Sequence, residues 1–177
     1  CKRSQPVNTG KKEEKAAAWL GQFLGKHGAQ VEAGVGGLPT AFRATIPGQG
    51  PGPTVAILAE YDALPGIGHA CGHNIIATSG AGAGAALALA LKILPFAGRI
   101  QVIGTPAEEG GAGKVRLMEA GVFKDVDAAM MIHPADADLT RIDAIAVQQL
   151  RVSYHGKAAH AAAAPHKGRN ALDAALR

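Results

Sequence analysis

Aromatic side chains are scarce in this 177-residue chain: one Trp, two Tyr and four Phe, 4% in all. Any core must be built from aliphatic and small residues, and 47% hydrophobic residues with 24 Gly supply them. Cysteine is nearly absent. Cys1 opens the chain and Cys71 lies in a His-rich loop, so no disulfide framework is available and a reducing, cytoplasmic setting is expected. There is no long apolar run: residues 81–94 are broken by Gly and Lys92, too short a stretch to span a bilayer, and the first residues lack the apolar core of a secretory signal. Charge is not concentrated either. A net charge of +4 without a basic run interleaved with aromatics argues against nucleic acid as a partner. The absence of an initiator Met and the helical pattern still running at residues 169–177 read as a fragment of a longer chain.

What is present is alternation of strand and helix. Residues 11–28 carry Ala16, Ala17, Leu20, Phe23 and Leu24 at helical spacing, with Gly25 and Gly28 closing the segment. Extended runs follow at 30–33 and 40–46, then a buried strand at 54–59, an Ala-rich helix at 74–94, a strand at 99–104, a helix at 112–120 and a strand at 127–132. This order predicts an α/β fold with a mostly parallel sheet flanked by helices. From residue 144 the pattern changes to a strand-like run at 146–155, a small-residue turn with His160, and another helix. The expected division is 1–140 as part of one domain and 141–177 as the start of a second, smaller one.

Parallel sheets bind ligands beyond the carboxyl ends of their strands. After the first buried strand come Glu60 and Asp62, then Gly68-His69-Ala70-Cys71-Gly72-His73; after the second come Glu108 and Glu109; after the third comes His133. Thiolate and imidazole are ligands for zinc and related divalent ions, and Gly72 lets Cys71 and His73 turn toward one point. On its own, Cys-Gly-His suits a buried cysteine beside a satisfied histidine, and adjacent glutamates suit a solvated surface. Their convergence on one sheet edge with His133 favours a metal centre. One glutamate of the pair then coordinates while its neighbour acts as base toward a water whose pKa the metal lowers from about 15.7 to about 7. Other motifs fail: Gly113-Lys114 lacks the remainder of a P-loop, and no H-E-x-x-H or P-C-x-x-C is present.

The segments Leu58-Ala59-Glu60-Tyr61-Asp62-Ala63-Leu64-Pro65, Gly68-His69-Ala70-Cys71-Gly72-His73-Asn74, Pro106-Ala107-Glu108-Glu109-Gly110-Gly111 and His160-Ala161-Ala162 with Pro165-His166-Lys167-Gly168 carry a family likeness. From about residue 12 onward the chain resembles the co-catalytic metallopeptidases and amidohydrolases that include aminoacylase, hippurate hydrolase and indole-acetyl-amino-acid hydrolase. It is most similar to the p-aminobenzoyl-glutamate hydrolase and beta-alanyl-lysine dipeptidase branch. The resemblance implies a metal-binding domain with an inserted lid domain, and two divalent ions (zinc, manganese, cobalt or nickel). It makes Cys71, His73, Glu109 and His133 metal ligands, Glu108 the catalytic base and Asp62 the supporting carboxylate. Glu60 stands where other branches carry a metal-binding His and is not expected to be a ligand. His160 matches a lid histidine that polarises the scissile carbonyl, often across a homodimer, and Asn170 falls near substrate-recognition positions. The family's last metal-ligand His has no counterpart here.

The implied activity is hydrolysis of an amide bond in an N-acyl amino acid or small dipeptide. Two alternatives from other classes stand beside it: a non-catalytic metal-binding remnant or regulatory fragment, and a Cys71-dependent thiol enzyme.

Overall fold

A computed structural model of the chain describes residues 11–142, 146 and 150–176. The chain separates into two compact units, Cys1–Ala137 and Asp138–Arg177. The first opens with helix α1 (Lys11–Lys26). It buries Glu13, Ala17, Leu20 and Leu24 along one stripe, the spacing of an amphipathic helix. Glu13 and Glu14 in its first turn and Lys26 in its last complement the helix dipole.

Five strands follow in one sheet: β1 (Gln30–Ala33), β2 (Phe42–Pro47), β3 (Thr54–Ala59), β4 (Arg99–Gly104) and β5 (Ala128–Met130), ordered β1-β2-β4-β3-β5. β3 pairs parallel with β4 and with β5, whereas β2 pairs antiparallel with both β1 and β4. Only β2 therefore runs against the others, so the α/β sheet is mostly parallel, as expected. The β3-to-β4 crossover is α2 (His73–Ala90); the β4-to-β5 crossover carries α3 (Glu108–Gly111) and α4 (Gly113–Glu119).

Side chains alternate across the sheet and build a core on each face. Val102 packs with Leu20, Leu24, Phe42, Ile46 and Ala81 under α1 and α2, while its neighbour Ile103 packs with Val35, Ala41, Ala56, Leu117 and Val122 on the other side. The Ala- and Gly-rich composition finds its use in α2, whose buried stripe is largely Ala and Gly. A Cβ at Gly84 would stand 2.5 Å from Val102 Cγ2, so the helix sits closer to the sheet than larger residues permit.

Three sequence expectations need correction. The long helix ends at Ala90, not at 94: Pro95 disfavours helical backbone at the residue before it, and the chain leaves through turns. The last strand of this unit is confined to Ala128–Met130, the stretch that pairs with β3. The strand-like run at 146–155 lies partly outside the described residues, and its described part at 150–155 forms no ladder. The second unit, described by itself, holds a bridge between Lys157 and Arg169, a 3-10 turn at Pro165–Lys167 and helix α5 (Ala171–Leu176). No helix among the described residues is long and apolar enough to cross a membrane.

Candidate metal centre

Because β3, β4 and β5 run the same way, the residues that follow them emerge at one edge of the sheet. β3 delivers Glu60 and Asp62, β4 leads to Glu108 and Glu109, and β5 ends shortly before His133. Thr105 N–H donates to Ala59 O at 2.8 Å, which fixes the second loop against the end of β3.

His73 is the hub. It is the first residue of α2 and is 1% exposed. The preceding Gly72 has φ of 74°, a left-handed conformation that glycine adopts without steric cost. A Cβ there would stand 2.7 Å from Pro134 Cγ, so glycine also lets this loop close against the segment carrying His133. The two imidazoles meet edge to face, with ring centroids 6.2 Å apart and planes at 85°.

Asp62, itself buried, ties the loops together. Its Oδ1 accepts from His73 Nδ1 at 2.9 Å and its Oδ2 accepts from the Glu109 N–H at 2.9 Å. The Asp62 carbonyl lies 3.1 Å from the same Nδ1. Both neighbours of Nδ1 are acceptors, so that nitrogen carries a proton and the ring presents Nε2 toward the site. Nε2 faces Glu60 Oε2 at 3.2 Å, Glu108 Oε2 at 3.7 Å and Glu109 Oε1 at 3.8 Å. Three carboxylates about one imidazole nitrogen concentrate negative charge, which a divalent cation offsets. A carboxylate on the far nitrogen of a ligating histidine is the expected support. Two trios have ligand atoms within 4.8 Å of one another, Glu60 with His73 and His133, and His73 with Glu108 and Glu109. The buried Glu60 Oε2 receives no hydrogen bond among the described residues. By donor chemistry and by this orphaned oxygen, the residues present fit a divalent cation.

The predicted ligands enter this cluster unequally. Glu109 is 14% exposed at its side chain and Glu108 44%, so the first faces inward and the second is open to solvent. His133 is exposed, and its Nδ1 donates to Pro134 O at 2.9 Å. Cys71 is in neither trio; it joins through a hydrogen bond to Glu109. That bond, with some burial and the nearby carboxylate charges, pushes its thiol up to about 11. A proton held so firmly makes a poor nucleophile at neutral pH. His160 stands in the second unit, exposed, with Nδ1 accepting from the Ala163 N–H at 3.0 Å. Asn170 caps the start of α5: its Oδ1 accepts from the Leu172 N–H at 3.1 Å and its Nδ2 donates to Asp173 at 2.8 Å.

Some supporting residues carry no signal in the sequence. Glu13, from α1, accepts the Ala107 N–H at 2.8 Å. It thereby holds a residue with φ of 57°, a strained value for alanine, immediately before the glutamate pair. Lys114, on α4, pairs with Glu60 Oε1. Tyr61 donates to Thr40 O at 2.5 Å; burial, then the charges of Glu13 and Asp62, push its hydroxyl well above the usual range. A cavity lined by Ala17, Gly21, Gly25, Val31 and Phe42 lies between α1 and the β1–β2 edge, and its lining includes none of Glu60, Asp62, His73, Glu108, Glu109 and His133. We place the chemistry at the carboxylate–imidazole cluster, where acid, base and ligand atoms meet.

The fold and this donor set define an α/β protein with a metal-type centre at the carboxyl edge of its sheet. The sequence profile of peptidase family M20/M25/M40 matches residues 56–177, and the chain belongs to that family. It is 49% identical over 147 residues to a Mus musculus Xaa-Arg dipeptidase, covering 79% of this chain and 34% of the relative. It is 40% identical over 177 residues to a p-aminobenzoyl-glutamate hydrolase polypeptide of Escherichia coli, covering 90% and 36%. A crystal structure of a Bacillus subtilis dinuclear metal-binding peptidase of the M20 family superposes with a TM-score of 0.59 at 30% identity, over 66% of this chain and 36% of that one. The chain spans about a third of the length of these curated relatives.

Proposed function

We propose that the protein is a metal-dependent hydrolase that cleaves an amide bond in a dipeptide or N-acyl amino acid. The observation that carries this reading is His73 Nε2, facing three carboxylates while the ring is fixed from behind by Asp62. In the reading, Cys71, His73, Glu109 and His133 hold divalent ions. Two trios sharing one histidine support a pair of ions, as does a solved relative described as dinuclear. A divalent ion held there supplies Lewis acidity, acidifying a water and polarising the scissile carbonyl.

The rest falls to the chain's own residues. Asp62 keeps the His73 ring in one tautomer and pins the Glu109 backbone, so the donor atoms do not reorganise when substrate arrives. Glu108, open to solvent beside this group, takes a proton from the attacking water and returns it to the departing amine. His160 is read as the histidine that stabilises the oxyanion, and the full-length protein as a homodimer. The second unit is read as the start of a lid domain. A reducing, cytoplasmic setting, which suits the free thiol of Cys71, belongs to the same proposal.

The names of the relatives, a dipeptidase and a p-aminobenzoyl-glutamate hydrolase, support this substrate class over a purely metal-binding remnant. So does Glu108, for which a mere binder has no use. The test is Glu108→Gln in the full-length protein, assayed on a panel of dipeptides and N-acyl amino acids. Turnover is expected to fall about 10²–10⁴-fold, the contribution of a positioned general base, with metal content unchanged by elemental analysis. Turnover at the unsubstituted rate refutes the assignment.

A further inference from the structure

We propose that Glu60 is itself a carboxylate donor of the cation site and that Lys114 is the positioning residue that fixes it. The inference rests on the reading that the cluster holds divalent ions. Glu60 is 2% exposed, and a buried carboxylate is costly unless both oxygens are engaged. Lys114 engages Oε1. Oε2 receives no hydrogen bond among the described residues and points at His73 Nε2, 3.2 Å away.

The second oxygen of Glu60 turns neither to Lys114 nor to solvent. Instead it lies within ligand spacing of both His73 and His133. Nδ1 of His73 is turned to Asp62 and Nδ1 of His133 to the Pro134 carbonyl, so each ring is oriented from its Nδ1 side. A buried carboxylate oxygen and two imidazoles within ligand spacing of one another form a donor set suited to a divalent cation. Lys114 sits on α4, a different element from Glu60. Its ammonium occupies the one oxygen that would otherwise rotate into competition, so the remaining oxygen has a single orientation.

The experiment is a Mn²⁺ titration of the full-length, chelator-treated protein, followed by the free-Mn²⁺ electron paramagnetic resonance signal, on the unsubstituted chain and on Glu60→Gln. Glu60→Gln is expected to weaken one class of Mn²⁺ sites at least tenfold while leaving the other within twofold. Glu60→Asp, which keeps the charge but withdraws the oxygen by one methylene, is expected to weaken the same class, and it serves if the amide variant does not fold. Lys114→Met should change the affinity of that class on the natural background and have no further effect beside Glu60→Gln. Affinities within twofold for both Glu60 variants overturn the ligand role, and a Lys114→Met effect that persists beside Glu60→Gln overturns the positioning role. Failure of the unsubstituted chain to bind Mn²⁺ at all refutes the metal-centre reading itself.

Discussion

Replacing Asp62 with asparagine keeps the volume of a side chain that is 1% exposed and removes one charge. As a carboxylate, Asp62 receives two donors, His73 Nδ1–H on Oδ1 and the Glu109 N–H on Oδ2, each at 2.9 Å. Asparagine offers one oxygen and one NH₂. With its NH₂ toward Glu109, an N–H faces an N–H and a buried donor loses its acceptor; with its NH₂ toward His73, the ring must take the other tautomer, which puts the proton on Nε2, at the site. A hydrogen bond to a charged group contributes about 1.5–3 kcal/mol, and that is the stability the variant should lose in urea unfolding of the metal-free protein. The second effect is on the centre. A His73 ring released from its carboxylate is a weaker base and less fixed in orientation, and losses of this kind cost about 10–100-fold in metal affinity, or about 1.4–2.7 kcal/mol at 1.4 kcal/mol per tenfold. Mn²⁺ titration reads the second effect independently of the first. A variant whose unfolding free energy and Mn²⁺ affinity both match the parent would refute the view that Asp62 couples His73 to Glu109.

Gly72→Ala should destabilise the fold by about 2–4 kcal/mol. This combines roughly 1–2 for a Cβ in the left-handed region with about 1–2 for the contact against Pro134; a melting temperature unchanged by the substitution would contradict it. Cys71 offers a pH test. Its pKa is raised from 9.0 to about 11 in the metal-free fold, so the thiol's contribution to stability is complete below pH 9 and is lost as pH rises through 11. Iodoacetamide labelling at pH 8, read on the Cys71 peptide by mass spectrometry, should be roughly tenfold slower in the fold than in urea, the smaller thiolate fraction being partly offset by the greater nucleophilicity of a thiolate of higher pKa. Equal rates would dismiss the Glu109 hydrogen bond as its cause.

Strand ends are legible where apolar runs meet punctuation. Thr54–Ala59 begins after Pro53 and stops at Glu60, and Arg99–Gly104 begins after Gly98; in both, the predicted bounds are those observed. The edge on which Glu60, Asp62, Glu108, Glu109 and His133 gather follows from strand direction alone. The tertiary ties are not legible. Glu13 in the first turn of a helix reads as a dipole partner, and nothing local tells that it reaches the Ala107 N–H, 94 positions along the chain. Lys114 follows Gly113 like any surface lysine. Glu60 departs in residue type from the related pattern, which argues against it as a ligand; its orphaned oxygen is visible only in three dimensions. The resemblance puts Cys71 among the ligands directly, whereas the fold brings it in through Glu109.

The bond from Glu13 to Ala107 makes the opening helix a strut for a turn it never borders in sequence. The left-handed lead-in to the glutamate pair is thus held in part from α1. Fraying of α1, or a polar residue slipped beneath it at Leu24, would slacken that turn and dull the centre while leaving every donor atom intact.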